Sequence, residues 1–123
     1  MRPVCVIGEA DPFVARLLQR FVEESGLEPA CAQVGQQVLE LAREAKPKAI
    51  ILGIELPGQV RGWEAVRALK ADPETCHIPV ITCSWLNKAE THALVGDVEG
   101  HLPKPNLHYD DFLAALQEAG VEL

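Results

Sequence analysis

The sequence predicts an α/β domain in which a five-stranded parallel sheet carries helices on both faces. Two observations carry that prediction. Five short β-branched or apolar runs alternate with five stretches whose apolar residues recur at three and four spacing. The third run, AIILGI at 49–54, is apolar almost throughout, the pattern of a strand buried on both faces. Such alternation calls for parallel strands joined by crossover helices. At 123 residues the chain has the length of one domain, taken as 1–123, and can fold without metal or disulfide staples.

Residues 3–8, PVCVIG, form the first strand, closed by Glu9-Ala10-Asp11. Asp11-Pro12 reads as a helix N-cap followed by proline at the first helical position, where its missing N–H costs nothing. Val14, Leu17, Leu18, Phe21 and Val22 make one apolar stripe, and Ser25-Gly26 ends that helix. Residues 28–34 suggest a second strand, and Val38, Leu41, Ala42 and Ala45 line a second helix that stops before Pro47. The strand at 49–54 leads into the loop LPGQVRG and a helix bearing Trp63, Val66 and Leu69, finished by Asp72-Pro73. A fourth strand at 78–83 is followed by Ser84-Trp85 and a weaker helix near 87–95. A short strand at 99–103 precedes Lys104-Pro105, and the last helix sets Phe112, Leu113 and Leu116 on one side.

Composition excludes several classes of function. Eleven Lys and Arg against eighteen Asp and Glu leave a net charge of -7, and the basic residues never gather beyond pairs. Direct binding to nucleic acid or to an anionic membrane is not expected. No apolar run approaches a membrane span, and the start MRPVCVIGEAD is too short for a secretory leader, which points to the cytoplasm. The four cysteines form no C-x-x-C pair and no finger spacing with histidine. Cys5, Cys31 and Cys83 fall in predicted strands and read as small buried hydrophobes, although Cys83 beside Ser84 could instead be a reactive thiol. An enzyme is not expected: there is no G-x-G-x-x-G after a strand, no P-loop lysine and no G-x-S-x-G.

In open parallel sheets, ligands bind beyond the carboxyl ends of the strands, where the strand order reverses. The residues placed there are Glu9, Ala10 and Asp11, then Gly53, Ile54 and Glu55, then Ser84, and finally Lys104. They carry a resemblance. VCVIGEADPFVARLL, AIILGIELPG, LKADPETCHIPVITCS and HLPKP resemble, in order and at near-family spacing over 3–116, the receiver domain of two-component response regulators of the chemotaxis type. The resemblance implies a flavodoxin-like, doubly wound sheet of strand order 2-1-3-4-5, with a Lys104-Pro105 bond that is usually cis in the family.

It also implies a site. The family's phosphoacceptor aspartate ends the third strand, and here Gly53 stands in its place, with no nucleophile to offer. The family's magnesium is held by an acidic pair, the acceptor and a backbone carbonyl. Here the pair reads Glu9-Ala10 and the carbonyl would be that of Glu55. No cofactor and no metal are expected, magnesium on Glu9 with Asp11 or Glu55 being the alternative. Glu9, Asp11, Gly53, Glu55, Ser84 and Lys104 are thus read as a vestigial phospho-site. Ser84 matches the family hydroxyl that hydrogen-bonds the phosphoryl group, or it caps the next helix. Lys104 matches the lysine that pairs with that group, or it snorkels to solvent. His101 matches the aromatic switch position, or it faces water. An ammonium aimed at a pocket that has lost its acid is costly, so Glu9 or Glu55 is expected to turn inward to Lys104. The 56–62 loop is one residue longer than the family turn and carries Arg61 in place of an acid, which alters a docking surface or is plain loop drift.

The function expected is that of an atypical receiver working by protein contacts, without aspartyl phosphorylation at the usual position. Its partners would be a histidine kinase, an effector protein, or a second copy through residues 86–117, with Trp85, Leu86 and Tyr109 as interface candidates. The alternative is a receiver still phosphorylated or metal-regulated through Asp11 or Glu55.

Overall fold

The computed structural model describes residues 2–123. Strands β1 (Val4–Gly8), β2 (Glu28–Ala32), β3 (Ala49–Gly53), β4 (Val80–Ser84) and β5 (Gly100–Pro103) alternate with helices α1 (Pro12–Glu24), α2 (Gly35–Ala45), α3 (Gly62–Ala71), α4 (Lys88–Val95) and α5 (Tyr109–Glu118). All four strand pairings are parallel and the order is β2-β1-β3-β4-β5. This is the architecture that the alternation and the resemblance implied.

Strand periodicity divides the interior into two cores. Cys5, Ile7, Ile51, Ile81 and Cys83 point to one face of the sheet, where Leu18 and Val22 of α1 meet Phe112 and Leu116 of α5. Val6, Ile50, Leu52 and Val80 point to the other, against Val38 and Ala42 of α2 and Ala65, Val66 and Leu69 of α3. Every residue of β3 is buried, as its unbroken apolar run requires. No helix among the described residues is long and apolar enough to cross a membrane.

Local chemistry sets the ends of the elements. Asp11 Oδ1 accepts from the N–H of Phe13 at 2.9 Å and of Val14 at 3.4 Å, and Pro12 takes the first helical position of α1. Helix α4 is capped by Asn87, which exchanges hydrogen bonds with Glu90 at 2.8 and 3.0 Å. Ser84 is therefore not a cap. Strand β4 begins at Val80 rather than at 78, because Asp72, Thr75 and Ile78 are tied into a turn by backbone bonds of 3.0 Å. Strand β2 ends at Ala32 rather than at 34, since Val34 already occupies the N-cap of α2. Cys31, expected to be buried, is exposed on this edge strand, while Cys5 and Cys83 are buried.

The loop between β3 and α3 lies against the start of α2 and leaves no room for side chains at two glycines. A Cβ at Gly35 would sit 1.9 Å from the Val60 carbonyl oxygen, and one at Gly62 would sit 1.9 Å from that of Gly53. The Gly35 N–H donates to Pro57 O at 3.1 Å and the Gly62 N–H to Leu56 O at 2.8 Å, so the loop is tied at both ends. Its backbone defines the floor of the site at Gly53. Gly62→Ala should therefore cost stability at the upper end of the ~1–3 kcal/mol typical of overpacking. A fall in the urea midpoint at unchanged slope would show it; an unchanged midpoint would mean that the loop yields freely.

Candidate functional site

The carboxyl ends of β1, β3, β4 and β5 bring Glu9, Gly53, Ser84 and Lys104 to one edge of the sheet. Lys104 is fixed first by its backbone: its N–H donates to Ser84 O at 2.8 Å, and its bond to Pro105 is cis. Its side chain, only 5% exposed, then runs inward to Glu9, which is equally buried. The ammonium lies 3.1 Å from Oε1 and 3.0 Å from Oε2, astride the carboxylate. Oε1 also accepts the Asp11 N–H at 3.2 Å, while Oε2 makes the ionic contact and no directed hydrogen bond.

Glycine at 53 is what admits Glu9. A Cβ there would lie 2.7 Å from Glu9 Oε2 and 3.2 Å from the Gly8 carbonyl oxygen. The side-chain space at the end of β3 is thus filled by a carboxylate from β1. Glu55, two residues on and 42% exposed at its side chain, closes the mouth. It accepts a hydrogen bond from the buried Ser84 hydroxyl and lies 3.7 Å from the Lys104 ammonium through its other oxygen. Of the two acids either of which is expected to turn to Lys104, Glu9 makes the close buried pair and Glu55 the longer contact at the mouth.

Electrostatics follow from this geometry. Burial works to strip the proton from Lys104, but the Glu9 hydrogen bond and charge, helped by Glu55, outweigh it and hold the ammonium above its ordinary value of 10.5. Burial pushes the Cys83 thiol from 9.0 to about 12, with Glu9 and Glu55 reinforcing the shift against the pull of Lys104. A fully buried, neutral thiol is no nucleophile, so the reactive reading of Cys83 is not supported by its surroundings.

Asp11 is spent on capping α1 and does not reach Lys104 or Glu55 by any hydrogen bond or ion pair. The other acids that the resemblance would offer to magnesium are Glu9, bound to Lys104, and Glu55, bound to Ser84. Among the described residues no three His, Cys, Asp or Glu side chains converge as ligands.

His101 is half-buried, and both of its ring nitrogens are engaged within the chain. The peptide oxygen of Leu86 can only accept, so His101 Nε2, 2.9 Å away, carries a proton and donates to it. Nδ1 lies 2.8 Å from the hydroxyl of Thr82, its register partner across the β4–β5 ladder. Thr82 escaped the sequence reading; the only signal was a hydroxyl within an otherwise apolar strand run. Of the interface candidates, Trp85 is 65% exposed. Leu86 packs onto the second core, and Tyr109 packs at 5.6 Å from the Phe21 ring, between centroids.

Comparison with known proteins agrees in fold and in sequence. A family model described as the response regulator receiver domain matches residues 4–117. The polar-differentiation response regulator DivK of Brucella anthropi is 35% identical over 102 residues, covering 81% of this chain and 82% of that protein. The crystal structure of a sensor protein from Polaromonas sp. JS666 superposes with a TM-score of 0.84 at 28% identity, covering 97% of this chain and 96% of that one. The chemotaxis response regulator CheY4 of Vibrio cholerae gives 0.83 at 20% identity, covering 97% and 99%, a likeness of fold alone.

Two outcomes follow from the Glu9–Lys104 pair. Glu9→Ala should cost about 3 kcal/mol by leaving a buried ammonium with only the longer contact to Glu55. Gly53→Ala, whose backbone is not left-handed, should cost about 1 kcal/mol or more by pushing Glu9 aside. In the Glu9→Ala background the same change should be neutral or slightly stabilising, a coupling that a double-mutant cycle reads directly. Simple additivity would mean that Gly53 does not make room for Glu9.

The second outcome concerns alkali. Cys5 and Cys83 are raised from 9.0 to about 12, chiefly by burial, and Lys104 is raised as well. Groups whose folded values lie above the unfolded ones stabilise fully below the unfolded value, and lose that contribution as pH rises toward the folded one. Denaturation midpoints should therefore fall progressively from about pH 9 upward. Cys83→Ala should flatten that fall even though its stability at neutral pH is lower; an equally steep decline would place the linkage elsewhere.

Proposed function

We propose that this chain, which belongs to the response regulator receiver domain family, is a signalling module that acts through protein contacts and is not charged by aspartyl phosphorylation at the usual position. The observation that carries the reading is the Glu9 carboxylate, which fills the side-chain space above Gly53 and lies 3.0 Å from Lys104. An acyl phosphate needs a carboxylate in contact with donor and solvent. Gly53 has none, Glu9 is buried under its lysine, and Asp11 is committed to its helix. The module works without magnesium, because each acid that could hold the ion already has a partner inside the chain.

Receiver domains are signalling modules that work with histidine kinases and effectors, and we assign this one no enzymatic activity. The 35% identity to DivK, a polar-differentiation regulator, supports a role in that kind of regulation, and the cytoplasm is the compartment we assign to it. Its partner is a histidine kinase or effector protein, or a second copy docked through residues 86–117. Trp85, at the edge of that region and largely exposed, is the residue best placed to contribute to such a contact.

Incubation with magnesium and a small acyl phosphate donor, followed by intact-mass measurement, tests the reading. The mass of this chain should not change under conditions that load an aspartate-bearing receiver. A phosphoryl adduct on Asp11 or Glu55 would establish the competing reading, a receiver charged through a displaced acid.

A further inference from the structure

We propose that Glu55 is a tethered oxyanion ligand: its carboxylate occupies the Ser84 hydroxyl and faces the Lys104 ammonium, and so holds the segment carrying Trp85 in one arrangement without any modification. The proposal rests on the reading of a site that is not phosphorylated, and adds to it what fixes the state of the neighbouring surface.

The contacts form an unbroken path. Glu55 Oε1 lies 3.7 Å from Lys104 Nζ, and Oε2 accepts from the Ser84 hydroxyl. With its proton committed to Glu55, Ser84 Oγ turns its lone pairs outward and accepts the Leu86 N–H at 3.0 Å. The Leu86 carbonyl in turn accepts from His101 Nε2 at 2.9 Å, and His101 is steadied by Thr82 at 2.8 Å. Both peptide groups of Leu86 are thereby held, one from the site and one from β5. Between Ser84 and Leu86 sits Trp85, 65% exposed, in a segment with two fixed ends.

Each link has the character a controllable latch needs. Ser84 and Thr82 are fully buried, so their hydroxyls have little water to fall back on when a partner leaves. Glu55 is the exception, its side chain 42% exposed and its lysine contact long, so it can leave the site without unpacking the core. Glu9 keeps Lys104 neutralised when Glu55 departs, since their pair lies deeper and shorter. Release of Glu55 therefore frees Ser84 and the Trp85 segment while the sheet stays intact. A partner that drew the Glu55 carboxylate away, or docked on Trp85, would act on the same latch from opposite ends.

The test follows backbone amide exchange at Leu86 and Trp85 emission in a Trp63→Phe background, which leaves Trp85 as the only tryptophan. Glu55→Ala should speed Leu86 exchange by at least about fivefold, the loss of one hydrogen bond's worth of protection, and shift the Trp85 emission. Glu55→Gln, which keeps an acceptor oxygen but no charge, should fall between. Ser84→Ala should match Glu55→Ala, and the double variant should be no faster than either single one. Unchanged exchange at Val6 and Ile51 serves as the control for folding. Leu86 exchange in Glu55→Ala equal to that of the parent, or additive effects of the two alanines, would overturn the proposal. No phosphodonor is present, so such a result leaves the unphosphorylated reading standing, and a phosphoryl adduct in the mass experiment would overturn that reading alone.

Discussion

A buried ammonium must have a carboxylate beside it, and the site is organised around that requirement. Lys104 cannot look elsewhere, because its backbone N–H is fixed to the Ser84 carbonyl and its side chain is almost wholly enclosed. Taking both charges out of water is expensive, and removing either partner leaves the other stranded at a cost of about 3–5 kcal/mol. The side chain that answers is Glu9, reaching across from β1 into space at the end of β3. A Cβ at position 53 would lie 2.7 Å from Glu9 Oε2, so any larger residue there obliges the carboxylate to shift. The glycine and the glutamate are two halves of one arrangement.

The second acid divides the labour. Glu9 neutralises Lys104 from within, while Glu55 lies at the mouth, its carboxylate spread between Ser84 and the same ammonium. Two carboxylates face one cation, and Asp11 adds a third negative charge at the N-cap of α1. The local sum is negative. The overall charge of -7 works in the same direction at longer range.

The fold was legible because it rests on patterns the sequence displays. Alternating strand and helix periods, the unbroken apolar run of β3 and the Asp11-Pro12 cap each map onto one physical rule, and each reappears in the structure. The pairing demand of Lys104 was legible as well, since it needs only the cost of an unpaired buried charge. Other features were not. Whether Ser84 caps α4 depends on where that helix begins, and Asn87 with Glu90 makes the better N-terminus three residues later. That His101 turns inward depends on the β4–β5 register, which sets Thr82 beside it, and on the Leu86 carbonyl aimed at its other nitrogen. Cys31 is exposed because β2 lies at the edge of the sheet, and that position follows from strand order rather than from local composition.

On the proposed reading, an aspartate at position 53 would not by itself rebuild a chargeable site. Its Cβ would have to stand 2.7 Å from where Glu9 Oε2 now lies, so the new acid could enter only by displacing the Glu9 carboxylate. The two acids would then compete for the one Lys104 ammonium, and Ala10 supplies no second carboxylate for a metal. Glu55 would still hold Ser84, the hydroxyl that the family resemblance assigns to a phosphoryl group. Gly53, Glu9 and Glu55 thus favour the same internally paired state. Changing one of them meets the resistance of the other two, because each carboxylate now at the site satisfies a donor that would otherwise be left unpaired.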